Sequence, residues 1–579
     1  MAQERKADQV LLDDQATGAP TQVSRPDRRH LGLQLVWVAI VAFLVLGGFE
    51  AWHDSPTFDE PVYVSAGLVA VLHHDVADNA EHPPLFKVLA ALPVLAVGPV
   101  VPGDGHWNTN NERSYSTRFV RAQIGAGTLH RITVASRVVP LIECALLALA
   151  LYALASLLFG AWAGVVAALL WLLDPLVLGL AHIDGVDLPF ALTTVLVSLT
   201  LVRWLRRRDR SSLLWLGAAC GAAVSAQSTG LLLGALATVV VVVAARRAGQ
   251  TGRATWLAAG LMVGVAWVVV WAVYIALDPS IVLHSWPILP EPYVQGLRYL
   301  ATHDTAASPG FLLGTAWSGA NVWFWPATLL VKLSTPIVVL LVAGPLVLVG
   351  LVRSGVVARS TWRQTLVAVI VPAGVLFAFE LPNPRTLGVR YLLPSIALWT
   401  VAAAPLALVV RRKMMGVGLG AVFLAAGLLT AFSYPASLAW TAPPFTPGYR
   451  VATNSNVDWG QDFGLLITWS RGRHPRVAYF GPRGVTVGDV PGARPLLGVA
   501  PTGISGWVAA SATDLTGASA PLAWLRGYCP VRTLGGSILI YYFSTPPTSD
   551  PGPTTPAALC PGSASHRVTA GVARGARGA

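Results

Sequence analysis

Charge is what this sequence has least of. Only 12% of its 579 residues are Asp, Glu, Lys or Arg, against 54% apolar residues, and the mean hydropathy is +0.59. That balance excludes an ordinary soluble globular class and makes the bilayer the solvent for most of the chain. Cysteine is nearly missing as well. Cys144 and Cys220 fall in apolar runs and Cys529 and Cys560 lie near the C-terminus, a spacing that makes no zinc or redox motif. No internal repeat is visible, and the N-terminal tail lacks a signal-peptide cleavage pattern, so its first apolar run reads as a signal anchor. Acidic residues are also in deficit, giving a formal charge of +12. The arginines lie in short loops beside apolar runs, where the positive-inside rule accounts for them, and no nucleic-acid partner is expected.

What is present is a series of apolar stretches long enough to cross a bilayer. They fall at 31–49, 138–159, 162–180, 188–205, 213–226, 230–245, 255–277, 327–352, 364–381, 391–410 and 415–432, about eleven spans. The fifth and sixth are short and meet at Gln227, Ser228 and Thr229, so a single tilted span is the alternative there. Arg25, Arg28 and Arg29, then the arginines of 203–210, 246–253 and 353–363, and finally Arg411 to Lys413 all fall on one side in this count, the cytoplasmic side. The other side receives Asp59, Glu60, Glu81, Asp184, Asp187, Glu291, Glu380 and everything from Ser433 onward. The expected organisation is a tail at 1–30, a membrane domain at 31–433 with outer loops at 51–137 and 278–326, an outer domain at 434–544 and a disordered tail at 545–579.

The first outer loop holds an apolar stretch, 88–101, too short to span comfortably and suited to an interfacial or re-entrant helix. The second carries Trp286, Trp317, Trp323 and Trp325, which suit either headgroup anchoring or sugar stacking. Beyond Phe432 the composition turns to Gly, Pro and Ser. Short apolar or alternating runs at 476–480, 506–511 and 537–543 predict a small outer α/β or β domain. Cys529 and Cys560 would both face an oxidising compartment there and could pair.

Chemistry begins at Thr57-Phe58-Asp59-Glu60-Pro61. Adjacent carboxylates just after the first span suit a general base that takes a proton from a hydroxyl nucleophile. They equally suit the start of a helix at Pro61. Arg137, Lys332 and Arg390 sit at the outer ends of spans, placed either to bind phosphate oxygens or to snorkel to headgroups. Asp187 opens a span beside His182 and Asp184, where an N-cap is the alternative to a functional role.

Phe58-Asp59-Glu60-Pro61, Ser65-Ala66-Gly67 and Glu81-His82-Pro83-Pro84-Leu85-Phe86-Lys87 together resemble the first outer loop of bacterial relatives of the protein O-mannosyltransferases. These belong to the GT-C membrane glycosyltransferases, as do the lipid A aminoarabinose transferases. Ordered matches continue with Arg137, Asp187-Leu188-Pro189, Lys332-Leu333-Ser334-Thr335-Pro336 and Gly388-Val389-Arg390-Tyr391-Leu392-Leu393-Pro394. The most specific is Asn454-Ser455-Asn456-Val457-Asp458-Trp459-Gly460-Gln461-Asp462, and Tyr479-Phe480-Gly481 and Gly536-Ser537-Ile538 extend the likeness into the tail domain. Two places depart from the pattern. Gln227-Ser228-Thr229-Gly230 stands where relatives commonly carry a lysine, and His73, His74 and Asp75 replace a glycine-rich turn.

The resemblance implies an all-α GT-C fold and inverting transfer of a sugar, mannose or another hexose, from a polyprenyl-phosphate donor. The implied acceptor is a protein or envelope-glycan hydroxyl at the outer face of the plasma membrane. Carried over, Asp59 is the base and Glu60 its neighbour for acceptor or sugar binding. Arg137, Lys332 and Arg390 would bind the donor phosphate, and Glu81, His82 and Asp187 the substrate. Some related transferases hold a divalent metal around this loop; the mannosyltransferase branch does not need one, and no metal or other cofactor is assigned. The competing classes are a lipid or glycan transporter, which places coupling residues near the midplane of broken helices, and an inactive envelope-assembly scaffold.

Overall fold

The computed structural model describes residues 28–103, 107–108, 112–283, 285, 288–303, 307–410, 413–516 and 520–546. Arg25, Trp286, Arg411, Cys560, most of the expected N-terminal tail and most of the expected C-terminal tail lie outside the described residues.

Among the described residues nine helices are long and apolar enough to cross a membrane, or ten if one bent pair counts as a span. The chain is therefore a multi-pass membrane protein, with fewer full spans than the eleven expected. Two differences account for the count. The run 213–226 forms the helix Arg210–Ala226, which at 17 residues is short for a full crossing. The run 162–180 breaks into Ala161–Leu172 and Pro175–Ala181, bent by 69°. Pro175 has no amide hydrogen and pushes Asp174 out of helical geometry, to φ −124° and ψ 129°, so the helix cannot continue through it. The Asp174 carboxylate then accepts from the Leu176 amide and from the amide and hydroxyl of Ser334. At Gln227 the backbone is extended and two separate helices meet rather than one tilted span. Gly230 allows the tight reversal, because a β-carbon there would lie 2.3 Å from the Ala223 carbonyl.

The helices differ in how much lipid they meet. Asp187–Arg207 and Val389–Val409 have 83% and 72% of their apolar windows buried, whereas Met414–Ser433 has only 11%. The first two are central and the last is peripheral, a division that the near-uniform apolarity of the sequence does not show.

Between the first span and Arg137, the helix Pro84–Leu95 covers the start of the apolar stretch expected at 88–101. It packs on Glu60–His73 at Gly67, where a β-carbon would come within 2.2 Å of the Lys87 carbonyl oxygen. The 278–326 loop holds the helix Glu291–His303 and a hairpin of β1 (Pro309–Leu312) and β2 (Thr315–Ser318).

After the last span a five-stranded mixed sheet forms from β3 (Arg476–Ala478), β4 (Arg494–Pro495), β5 (Gly506–Ser511), β6 (Arg532–Leu534) and β7 (Ile538–Phe543). Its order is β4-β3-β5-β7-β6, with β3 parallel to both of its neighbours and the other pairs antiparallel. Alternation along β5 and β7 sends Val508, Ala510, Leu539 and Tyr541 into one core and Ala509, Ile538 and Ile540 into another, beneath the helix Phe463–Ser470. Both faces are covered, which is why these short runs read as nearly continuous apolar sequence.

Candidate active site

Several helices that reach the site have arginines at one end and polar cavity residues at the other. Asp187 opens the helix that ends in Arg206 and Arg207. Gln227 follows the helix that begins at Arg210, Thr229 precedes the one ending in Arg246 and Arg247, and Glu380 closes a span begun at Arg359. The ends without arginine clusters meet around a cavity of about 410 Å³ whose lining includes Asp59, Tyr63, Glu81, His82, Asp187 and Arg390.

Asp59 is held by the segment between the first span and Glu60–His73. The Ser55 amide donates to the Gln461 carbonyl at 2.8 Å and the Phe58 amide to the Trp459 carbonyl at 2.9 Å. The Phe58 ring stacks on Phe480 with centroids 5.1 Å apart. Asp59 occupies the N-cap position but makes no capping bond. Its Oδ2 accepts from Arg390 Nη2 at 3.0 Å, and Oδ1 accepts from no group among the described residues. Arg390 also faces Asp187, Nη1 to Oδ2 at 3.5 Å, so Asp187 pairs with a guanidinium instead of capping its own helix, whose N-cap is Val186.

The Arg390 guanidinium lies 4.2 Å from the Trp459 ring and 5.1 Å from the Tyr391 ring. Its approach is fixed from the 454–462 motif. The Val389 amide donates to Asn456 Oδ1 at 2.9 Å, and the Ser455 hydroxyl donates to the Leu387 carbonyl at 2.9 Å. Gly388 leaves the room, since a β-carbon there would meet Ser455 Oγ at 2.1 Å. One motif thus holds both the Asp59 loop and the Arg390 loop. A desolvated cation–π contact contributes up to about 2 kcal/mol. Trp459→Leu is therefore expected to lower activity roughly tenfold, with Trp459→Phe intermediate, measured as initial rates at fixed donor concentration.

Two of the three expected phosphate-binding cations are committed elsewhere. Arg137 is fully buried and uses all five of its donors. Nε and Nη2 hold the Glu60 carboxylate at 2.8 and 2.7 Å, Nη1 donates to the Ala51 and Asp54 carbonyls, and Nη2 donates again to the Ser55 carbonyl. Lys332 Nζ donates to the carbonyls of Leu438, Trp440 and Asn456, and an ammonium has three donors only. Neither has a donor left for phosphate. Glu60 is likewise turned away from the cavity, 2% exposed, and accepts from the Thr57 and Asp184 amides as well as from Arg137. Burial pushes its carboxyl up, but the Arg137 charge and these hydrogen bonds outweigh it and hold the pKa below the ordinary value. Arg137 and Glu60 form a structural knot behind Asp59, and Lys332 separately ties together the segments at Leu438, Trp440 and Asn456.

Glu81 and His82 do reach the cavity. His82 Nε2 lies 3.4 Å from Glu81 Oε1, and its Nδ1 is buried without a partner among the described residues. Burial, reinforced by the Lys87 charge, drives the imidazole pKa down to about 3, so it stays neutral. Burial raises the Glu81 carboxyl above its ordinary value. Behind them Asn79 donates to both Glu81 and Glu112, and Lys87 donates to the Asn79 carbonyl and side-chain oxygen. The polar His73–Asp75 departure belongs to the turn after Glu60–His73, where His74 adopts a left-handed cap, φ 53°, and its Nδ1 approaches the Leu277 carbonyl.

Residues that sequence reasoning left without a site role also line the cavity: Tyr63, Arg113, Gln227, Asn383 and Arg385. Tyr63 lies one helical turn beyond Asp59, a spacing that puts both on one face. Arg113 carries no comparable local signal. Among the described residues one group has the atoms to hold a metal, Glu50, Asp54 and His182, and none of the three lines the cavity.

The rest of the motif docks the sheet. Asp458 Oδ2 accepts from the Thr513 amide at 2.9 Å, and the Ser537 hydroxyl donates to Asp462 Oδ2 at 2.6 Å. Burial pushes the Asp458 carboxyl up to about 8 and that of Asp462 to about 7. A folded pKa above the unfolded value means that stability is fully present below the unfolded carboxylate range and is lost as pH rises through the folded value. Docking of the sheet is therefore expected to loosen between about pH 4 and pH 8, and Asp458→Asn, which keeps the acceptor, should flatten that dependence. Limited proteolysis between the last span and the sheet, followed across this range, measures it.

No curated protein sequence matches the chain. Among solved structures it is similar to ArnT from Cupriavidus metallidurans bound to undecaprenyl phosphate, at 17% identity and a TM-score of 0.41 over 72% of this chain and 67% of that one. It is similar to the oligosaccharyltransferase AglB from Archaeoglobus fulgidus at 13% identity and 0.45 over 87% and 73%, and to the S. cerevisiae protein O-mannosyltransferase Pmt1-Pmt2 complex at 16% and 0.30 over 51% and 39%. Superpositions of that quality carry no functional argument. Residues 125–274, a segment that holds Arg137, Asp187 and Gln227, match the family model described as Dolichyl-phosphate-mannose-protein mannosyltransferase, and over that segment the chain is similar to the transferases of that family.

Proposed function

We propose that the chain is a GT-C membrane glycosyltransferase that moves a sugar, mannose or another hexose, from a polyprenyl-phosphate donor to a protein or envelope-glycan hydroxyl outside the cytoplasm. The observation that carries this reading is Asp59. Its carboxylate borders a polar cavity of ligand size, with one oxygen fixed by Arg390 and the other accepting from no group among the described residues. In the reaction the acceptor hydroxyl oxygen attacks the anomeric carbon from the face opposite the phosphate, and the carbon–oxygen bond to phosphate breaks. Its electron pair leaves on the phosphate oxygen, and the hydroxyl proton passes to Asp59 Oδ1. Arg390, with Arg113 and Arg385 also lining the cavity, stabilises the charge that grows on the departing phosphate. Arg390 is the member of the expected phosphate-binding set that remains in this role; Arg137 and Lys332 act as structural cations.

The test uses the full-length protein in lipid, labelled polyprenyl-phosphate mannose and an envelope extract as acceptor. Label is expected in a product that is no longer extracted with the lipid. Movement of labelled lipid across the bilayer with no new glycoside would identify a transporter and overturn the reading. If mannose fails, polyprenyl-phosphate glucose, galactose and aminoarabinose are tried in turn. No product from any of the four donors also counts against it.

A further inference from the structure

Glu50, Asp54 and His182 meet at the cavity-side end of the first span, apart from the proposed reaction. Each turns one ligand atom inward, and these atoms lie within 4.8 Å of one another. Glu50 and His182 are fully buried and Asp54 is 5% exposed. His182 Nδ1 sits 3.1 Å from the Leu178 carbonyl oxygen. A carbonyl only accepts, so Nδ1 carries the hydrogen, and a neutral ring then presents its Nε2 lone pair to Asp54 Oδ2 at 3.0 Å. This is the orientation that second-shell carbonyls impose on metal-bound histidines. Neither Glu50 carboxylate oxygen makes a hydrogen bond of good geometry among the described residues; the amide and hydroxyl of Ser437 are the donors beside it.

Lone pairs from three side chains therefore converge with too few positive charges to meet them. Arg137 is the adjacent cation, but its five donors are already spent on Glu60 and on the carbonyls of Ala51, Asp54 and Ser55. A proton on His182 would satisfy Asp54 and leave Glu50 with no cation, only the neutral donors of Ser437 beside it. We propose that Glu50, Asp54 and His182 bind one divalent transition-metal ion, with zinc the best fit to one imidazole and two carboxylates. The ion would tie the first span to the bent turn ahead of Asp184, whose amide holds Glu60. It is a structural site, so its presence does not depend on the glycosyltransferase reading.

The experiment is elemental analysis of the full-length protein, expressed with added zinc and exchanged into metal-free buffer, for wild type, Glu50→Gln, His182→Asn and Asp59→Asn. Wild type and Asp59→Asn should each retain about one zinc per chain, as expected of a buried structural site, and the two triad variants should lose at least tenfold. Loss of the metal in Asp59→Asn would place the ion in the cavity and overturn the proposal. So would metal-free wild type whose melting temperature is unmoved by added zinc. If the triad variants fail to fold, zinc-edge X-ray absorption of wild type decides: an all oxygen and nitrogen shell containing one imidazole supports the site, and sulfur or several imidazoles refute it.

Discussion

Asp59→Asn is expected to lower sugar transfer by roughly 100-fold to 10,000-fold, the range that removal of a positioned general base produces. The substitution is nearly isosteric, and the asparagine side-chain oxygen still accepts from Arg390, so the loop held by Trp459 and Gln461 should keep its place. What disappears is the basicity of Oδ1. Because that atom acts on the acceptor in the transition state, the loss should fall on kcat, with donor affinity nearly unchanged. Initial rates at saturating donor, together with donor binding and melting temperature, measure it. Transfer equal to wild type would remove Asp59 from the role of base and shift attention to Asp187, the other carboxylate facing Arg390. Equal loss of folding and activity would make Asp59 a structural residue instead.

The second large effect concerns stability. Arg137→Met should destabilise the protein by about 3–5 kcal/mol, the cost of leaving a buried charge without its partner. Glu60 would then lie 2% exposed with only two amide donors, and the carbonyls of Ala51, Asp54 and Ser55 would lose theirs as well. Replacing both members, Glu60→Gln with Arg137→Met, should recover part of that loss, because no unpaired charge remains. The two single variants and the double variant form a cycle that isolates the coupling. Recovery of folded protein after graded heating, read by size exclusion in detergent, is the measurement. A phosphate-binding Arg137 predicts the opposite pattern, a normally folded variant with weakened donor binding.

That contrast shows where the sequence was legible. Each of the eleven apolar runs has a helix in the structure, because length and hydropathy are local properties of the chain. Two runs that do not give full spans, 162–180 and 213–226, differ for reasons that hydropathy averages away: a proline after Asp174 and a helix of 17 residues, at the short end for a crossing. The β5 and β7 runs were legible as short apolar stretches bounded by glycine and proline. In the site, Asp59, Glu81, His82, Asp187 and Arg390 line one cavity, in keeping with their places on the same side of the apolar runs. It could not separate Arg390 from Arg137 and Lys332. All three are cations at span ends, and only the count of occupied donors tells a charge facing a cavity from one that ties loops together. Trp459 was visible within a specific motif, yet its stacking on Arg390 joins residues far apart in the chain and leaves no local trace.

The reach of that motif sets a schedule for how the site comes into being. Ser55 and Phe58 take their partners from Gln461 and Trp459, and Arg390 rests on the same tryptophan. Residues emerge from the ribosome in order, so Asp59 and Arg390 are both made and placed at the membrane before the piece that aligns them exists. Through most of its synthesis the protein is thus a set of inserted helices with an unassembled cavity. Competence arrives in one late step, when the 454–462 segment has folded back onto both loops. A chain stopped before that segment would keep every span and leave the site unaligned.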